Sequence, residues 1–172
     1  MNFRLAEDGD IDRLHTLIES AYRGESAKRG WTHEADLLGG QRTDRKSLKA
    51  IVADPDQRIL LAESEAKLRG CVQLSRIGGG LAYLGLLTVD PGVQAGGLGK
   101  LLLTHSEEYV RTYWQSEAIE MTVIKQRAES IAYYERRGYQ RTGEYRPFPH
   151  GDTRFGLPKT KLLEFAVLRK QI

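Results

Sequence analysis

Four glycines, Gly92, Gly96, Gly97 and Gly99, fall between an apolar run and the strongest helical pattern of the chain. The run is Leu81 to Val89, ended by Asp90-Pro91. The pattern is Gly97 through Trp114, in which Leu98, Leu101, Leu102, Tyr109, Val110 and Tyr113 repeat at intervals of three and four. A strand, a glycine-rich turn and a helix start, in that order, make an anion site. The first helical N–H groups have no internal partner, and the helix dipole favours negative charge there. Glycine lets a phosphate approach the backbone with no Cβ in the way, and Lys100 adds a positive charge. A tight strand–helix turn also uses glycine for geometry alone, so the flanking sequence has to decide between the two.

The rest of the chain reads as short alternating elements. Phe3–Leu5 predicts a first strand. Asp8-Gly9-Asp10 offers cap chemistry ahead of Ile11, Leu14, Leu17, Ile18 and Tyr22, whose spacing predicts a helix ending near Gly24. The polar stretch from Gly24 to Thr43, with Trp31 and Leu37-Leu38, predicts a long ordered loop or broken helix. Asp44 is the expected cap of a second helix through Leu48, Ile51 and Val52, stopped by Asp54-Pro55. Arg58–Glu63 and Gly70–Ile77 predict two strands, and the polar Ser64–Arg69 connection predicts an antiparallel hairpin. Gly78-Gly79-Gly80 predicts the turn into Leu81–Val89. Ala118–Ile124 predicts a strand and Ala128–Arg137 a helix closed by Gly138. Tyr139–Tyr145 and Leu162–Leu168 predict two last strands around a loop with Pro147, Pro149, Gly151, Gly156 and Pro158. No repeat interrupts this order, which predicts one domain over residues 1–172, of mixed α+β class.

Composition narrows the function classes. Against 23 Asp+Glu stand 26 Lys+Arg, a net charge of +3, too little for general disorder or a strongly basic nucleic-acid binder. The pI near 9.0 comes without a basic run interleaved with aromatics. A mean hydropathy of −0.47, with no apolar run near ~18–20 residues, predicts no membrane span. The first ten residues carry Arg4, Glu7, Asp8 and Asp10 and predict no signal peptide. Cys71 is the only cysteine and fits a reducing cytoplasm. His15, His33, His105 and His150 have no ligand spacing, so no metal is expected.

Three phosphate-binding readings compete for the glycine turn. A Walker loop needs Ser or Thr after Gly99-Lys100, and the chain has Leu101. A dinucleotide fingerprint needs a third glycine at 102, where the chain has Leu, and an alternating βαβ order. An acyl-CoA pyrophosphate loop of the form Gln/Arg-x-x-Gly-x-Gly/Ala fits Gln94, Gly97 and Gly99. The stretch from Leu86 to Gly99 resembles the third and fourth segments of GNAT-type N-acetyltransferases. The stretch Ser130-Ile131-Ala132-Tyr133-Tyr134-Glu135-Arg136-Arg137-Gly138-Tyr139 resembles their next motif, aromatic-Tyr-Glu-x-x-Gly-aromatic. The resemblance covers most of the chain as element order and about 60 residues at motif level. It is specific to the superfamily and not to a substrate.

The resemblance implies a mainly antiparallel sheet of about six or seven strands flanked by about four helices. It also implies acyl transfer, expected to be acetyl transfer from acetyl-CoA to an amine of a small molecule or peptide, by direct attack in a ternary complex. Its pyrophosphate cradle would be the backbone of Gln94, Ala95, Gly96, Gly97, Leu98, Gly99 and Lys100. The thioester oxygen would meet a backbone N–H within Leu87-Thr88-Val89, an oxyanion-hole device. Tyr134 is the candidate general acid for the leaving thiolate, since a tyrosine with a reference pKa near ~10 is protonated at neutral pH. Many relatives have Asn where this chain has Arg127, so the usual amide contact to the pantetheine arm is replaced by a cation that suits a phosphate. Arg136 and Arg137 suit phosphates or a solvated helix face. Glu34 is the candidate base, with Asp36 and His33 as rivals in the segment where relatives place acceptor-binding loops. A non-catalytic acyl-CoA sensor is the alternative function. A homodimer, the acceptor amine and the acyl chain length are left open.

Overall fold

The computed structural model describes residues 1–22, 38–39, 43–93, 96–147, 157–158 and 163–172, with backbone alone at 38–39 and 157–158. In chain order the elements are β1 (Asn2–Leu5), α1 (Ile11–Tyr22), β2 (Leu38–Gly39), α2 (Arg45–Ala53), β3 (Gln57–Ser64), β4 (Lys67–Gly78) and β5 (Leu81–Val89). Then follow α3 (Leu98–Trp114), β6 (Ala118–Ile124), α4 (Ala128–Glu135), β7 (Gln140–Pro147), β8 (Leu157–Pro158) and β9 (Glu164–Gln171). Seven strands form one sheet in the order β1-β3-β4-β5-β6-β9-β7, and β2 pairs with β8. Among the described residues every sheet pairing is antiparallel except that of β5 with β6. Among the described residues the α+β class, the seven-stranded sheet and the four helices agree with the expectation.

The sheet is buried on both faces over β3 to β5, which explains the unbroken apolar run there. Successive side chains of a strand point to opposite faces. Leu60 and Ala62 of β3, with Val72 and Leu74 of β4, pack on the side of α3 against Leu98, Leu102 and Val110. Ile59, Leu61, Cys71 and Leu86 pack on the other side against Leu14, Ile18 and Tyr22 of α1 and Leu48 of α2. Burial pushes the Cys71 thiol up to about 12, so this cysteine is an inert core residue.

Local chemistry sets the element ends. The Asp44 carboxylate accepts the Ser47 N–H at 2.7 Å, capping α2 as its sequence position predicts. The β3–β4 connection is tighter than the Ser64–Arg69 stretch suggests. Glu65 and Ala66 alone make the turn, both in left-handed backbone (φ 52° and 60°), the geometry of a two-residue hairpin. Ahead of α1, Asp10 is only 5% exposed. Its carboxylate accepts both Arg4 Nη groups at 2.8 Å and the Glu7 N–H at 2.9 Å, and pairs with Arg13. Among the described residues no helix is long and apolar enough to cross a membrane.

Candidate active site

Among the described residues, the only parallel neighbours in the sheet are also the pair that separate. β5 and β6 are in register over Leu81–Tyr83 and Ala118–Glu120. Beyond that point Leu84–Val89 have no register partner on β6 among the described residues, and the two strands form a fork. The Tyr83 hydroxyl and Thr122 Oγ1, 2.7 Å apart, bridge its base.

A β-bulge opens the fork. Along β4, Cys71 faces Thr88 and Gln73 faces Gly85, so Leu86 and Leu87 together oppose the single residue Val72. Such a bulge bends its strand and re-aims backbone groups. Leu86 takes a φ of 49° to make it, an uncommon conformation for a bulky residue. The Leu86 carbonyl accepts Thr88 Oγ1 at 2.8 Å and faces Cys71 Sγ at 3.9 Å. The Leu87 carbonyl accepts the hydroxyl of Tyr22, the last residue of α1. No peptide bond is cis, and in a trans peptide the N–H opposes the carbonyl. Leu87 N–H therefore points away from the Cys71 sulfur.

The glycine turn sits beside this lip. Asp90 organises its entry: its carboxylate accepts Gly92 N–H at 2.9 Å and an Arg69 N–H at 3.1 Å, and its carbonyl accepts Val93 N–H at 2.9 Å. Gly97 is the N-cap of α3 with φ 76°, a backbone state that favours glycine. The helical ladder begins with Leu101 N–H on the Gly97 carbonyl. The amides of Gly97, Leu98, Gly99 and Lys100 thus precede it, as four donors at the positive end of a 17-residue helix. A Cβ at Gly96 or Gly97 would meet no atom within 4 Å, so room for a ligand is left outside the turn. The first turn of α3 lies directly on the lip. The space above Gly70 is closed by the Thr88 carbonyl, Leu102 and Leu98 together.

Across the fork, β6 leads through Arg127 into α4. Arg127 donates its N–H to the Ile124 carbonyl, and its own carbonyl accepts Ile131 N–H. Arg127 is the backbone cap of α4 (Ala128–Glu135). Tyr134 is 8% exposed and belongs to the same cluster as Leu87, Val89, Leu98 and Leu102. Its ring is edge-on to Tyr133 (5.3 Å between centroids, 86°) and to Tyr139 (6.0 Å, 74°). Tyr139 is buried and donates its hydroxyl to Glu107 at 3.0 Å, while Lys170 holds the other Glu107 oxygen at 2.8 Å. Burial, then the Glu107 charge, pushes the Tyr139 hydroxyl well above the ordinary tyrosine range. The two adjacent tyrosines part as helical geometry requires. Tyr133 lines a cleft of about 350 Å³ with Glu129, Ser130, Ala132 and Arg136. Arg137 stacks 3.4 Å from the Tyr133 ring centroid.

The structure thus brings Leu87, Thr88 and Val89, the start of α3 from Gly96 to Lys100, and Tyr134 into one region. Gln94, Ala95 and Glu34, with His33 and Asp36, lie outside the described residues. Three residues around the site lie outside the motifs: Tyr22, Gly70 and Glu120. Glu120 interrupts the apolar run of β6 and is 2% exposed. Arg146 holds one of its oxygens at 3.0 Å and Arg169 the other at 2.9 Å. With both oxygens engaged it ties β6, β7 and β9 together. No group of His, Cys, Asp or Glu suited to a metal occurs among the described residues.

Comparison with known proteins agrees with this architecture. The model of the Acetyltransferase (GNAT) family matches residues 12–139. A ribosomal-protein-alanine N-acetyltransferase from Brucella melitensis is similar in structure, with TM-score 0.72 and 17% identity over 100% of both chains. So is yncA from Salmonella typhimurium, solved with its cofactor acetyl-CoA (TM-score 0.71, 18% identity, 99% of this chain and 93% of that one). A point-mutant form of the spermidine N-acetyltransferase SpeG from Vibrio cholerae gives TM-score 0.69 at 16% identity, over 99% and 95% of the two chains. A search of curated protein sequences gives no match.

Proposed function

Because the chain belongs to the GNAT acetyltransferase family, we propose that it moves an acetyl group from acetyl-CoA to a primary amine of a small molecule or peptide, by direct attack in a ternary complex. The observation that carries this reading is the β5–β6 fork, with the bulge at Leu86 and Leu87 on its lip beside the start of α3. The donor set suits acetyl-CoA. The amides of Gly97 to Lys100, with Gln94 and Ala95 before them, would hold the pyrophosphate, and Lys100 and Arg127 add positive charge. The extended backbone from Leu87 to Val89 would lie along the pantetheine arm. Acetyl-CoA supplies a thioester whose carbonyl oxygen gains negative charge as the amine adds. Leu87 N–H is a fixed donor for that oxygen, and fixed donors stabilise developing charge with little reorganisation.

Tyr134 takes the role of general acid toward the departing sulfur. Its ring is held by Tyr133 and Tyr139, so its hydroxyl is positioned without the rotational freedom of a surface side chain. Glu34 is the proposed acceptor of the amine's proton. The buried Glu120 does not compete for that role, because Arg146 and Arg169 occupy both of its oxygens. An amine acceptor is also in keeping with the names of two structural neighbours, a spermidine and a ribosomal-protein-alanine N-acetyltransferase. A cytoplasmic location goes with the reading and is supported by the single cysteine.

The test is thiol release from acetyl-CoA across polyamines, amino acids, aminoglycosides and peptide N-termini, repeated with Tyr134→Phe. We expect kcat to fall by about 10²–10⁴ with CoA affinity retained, the usual range for a lost general acid. An unchanged kcat removes Tyr134 from the reaction. If no amine releases thiol while CoA still binds, the protein is an acyl-CoA sensor.

A further inference from the structure

At the bulge, the carbonyls of Leu86 and Leu87 each accept a side-chain hydroxyl. Leu86 C=O shares its peptide plane with Leu87 N–H, and this carbonyl accepts Thr88 Oγ1 at 2.8 Å. Leu87 C=O lies in the next plane and accepts the Tyr22 hydroxyl. The two planes that meet at Leu87 are therefore both pinned. One of the two hydroxyls comes from a distant helix, 65 residues away in sequence.

We infer that Thr88 and Tyr22 are positioning residues, a hydroxyl clamp that fixes the direction and strength of the Leu87 N–H as a donor to the thioester oxygen. Two physical effects act together. The first is geometric. Leu86 sits at φ 49°, a conformation that a leucine leaves unless its surroundings hold it. Locking both planes prevents the bulge from relaxing and swinging the N–H out of line. The second is electronic. A hydrogen bond accepted by a peptide carbonyl polarises the N–H of the same peptide, and buried chains of such bonds reinforce one another. Thr88 Oγ1 acts in this way on the peptide that carries Leu87 N–H. Thr88 is fully buried and Tyr22 is 8% exposed, so little water competes for either bond. Tyr22 is also the last residue of α1, so the clamp ties the donor to the helix that leads into residues 23–42.

This inference rests on Leu87 N–H being the thioester donor, and the test separates the two statements. The probes are acetyl-CoA and the thioether S-ethyl-CoA, in which a methylene replaces the carbonyl and no oxygen is left to bind. Calorimetry on the wild type should favour acetyl-CoA over S-ethyl-CoA. Tyr22→Phe keeps the ring and Thr88→Val keeps the shape, and each should shrink that preference several-fold. Each should also lower kcat by about tenfold or more, as loss of an oxyanion donor does, while affinity for CoA itself stays put. Thr88→Ser restores the hydroxyl and should restore both quantities. If the wild type discriminates and both variants discriminate equally well, the clamp is wrong and the donor assignment stands. If the wild type does not discriminate, the donor assignment fails and the clamp with it. Should Tyr22→Phe unfold, the Thr88→Val and Thr88→Ser pair decides the question.

Discussion

Replacing Gly70 by alanine tests whether the lip of the fork and the start of α3 are one packed unit. Gly70 faces Val89 across β4 and β5. A Cβ there would stand 2.8 Å from the Thr88 carbonyl oxygen, 2.9 Å from Leu102 Cδ1 and 3.4 Å from Leu98 Cδ2. Ordinary contact starts at 3.4 Å, so the oxygen must retreat by about 0.6 Å. Thr88 and Leu102 are both fully buried, so neither can relieve the contact by moving out into solvent. On backbone entropy alone, alanine in a strand gains about 0.5–1 kcal/mol over glycine. Overpacking of a closed core costs about 1–3 kcal/mol, so the steric term wins. In a chain of this size the net loss lowers Tm by about 2–10 °C. The strain falls on Thr88 and Leu98, the lip and the first residue of α3, so CoA affinity should drop in the same variant. Thermal melts and calorimetry with CoA read both quantities. A Tm within about 1 °C of the wild type, together with unchanged CoA affinity, would refute the close approach and its support of the site.

Gly96→Ala should behave in the opposite way: no atom lies within 4 Å of the added Cβ, so Tm should hold while CoA affinity falls several-fold. Equal affinity would show that no ligand comes near that backbone. Asp10→Asn removes a carboxylate that serves Arg4, Arg13 and Glu7, and should cost about 1–3 kcal/mol in melts at pH 7. Hydrogen bonds from Arg4 hold the Asp10 and Glu63 carboxyls below the ordinary carboxylate range. Their stabilisation is complete above the unfolded pKa near ~4 and is lost as pH falls toward the depressed folded values. Melts of the wild type should therefore decline below about pH 4 and those of Asp10→Asn should decline less; parallel pH profiles would remove Asp10 from acid stability.

The parts that were legible in the sequence are those decided within a few residues. Leu14, Leu17 and Ile18 mark the buried face of α1 at helical spacing, and Asp44 caps α2 three residues ahead of the N–H it accepts. The glycine turn marks the start of α3, with Gly97 at an N-cap whose φ is positive. Tyr134 is chosen over Tyr133 by its place directly before Glu135 in the motif, and in the helix Tyr134 is buried in the core while Tyr133 lines the cleft. The Ser64–Arg69 connection was misjudged in length. Its polar residues continue into β4, and Glu65-Ala66 lacks the glycine that usually announces a two-residue turn.

What stayed hidden depends on partners far apart in the chain. Glu120 is a single acidic residue in an apolar strand until Arg146 and Arg169, 26 and 49 residues away, close on it. Gly70 is one glycine among 18 until α3 lands on it. The chain by itself determined the order of the elements, their buried faces, and a glycine-rich helix start able to face an anion, because periodicity and capping act over a turn or two. Tertiary structure decided that β5 parts from β6, that two leucines share one partner across the sheet, and that a tyrosine at the end of α1 secures the result. Strand register and bulges follow from long-range pairing, in which each residue's conformation is set by neighbours that the local sequence does not name.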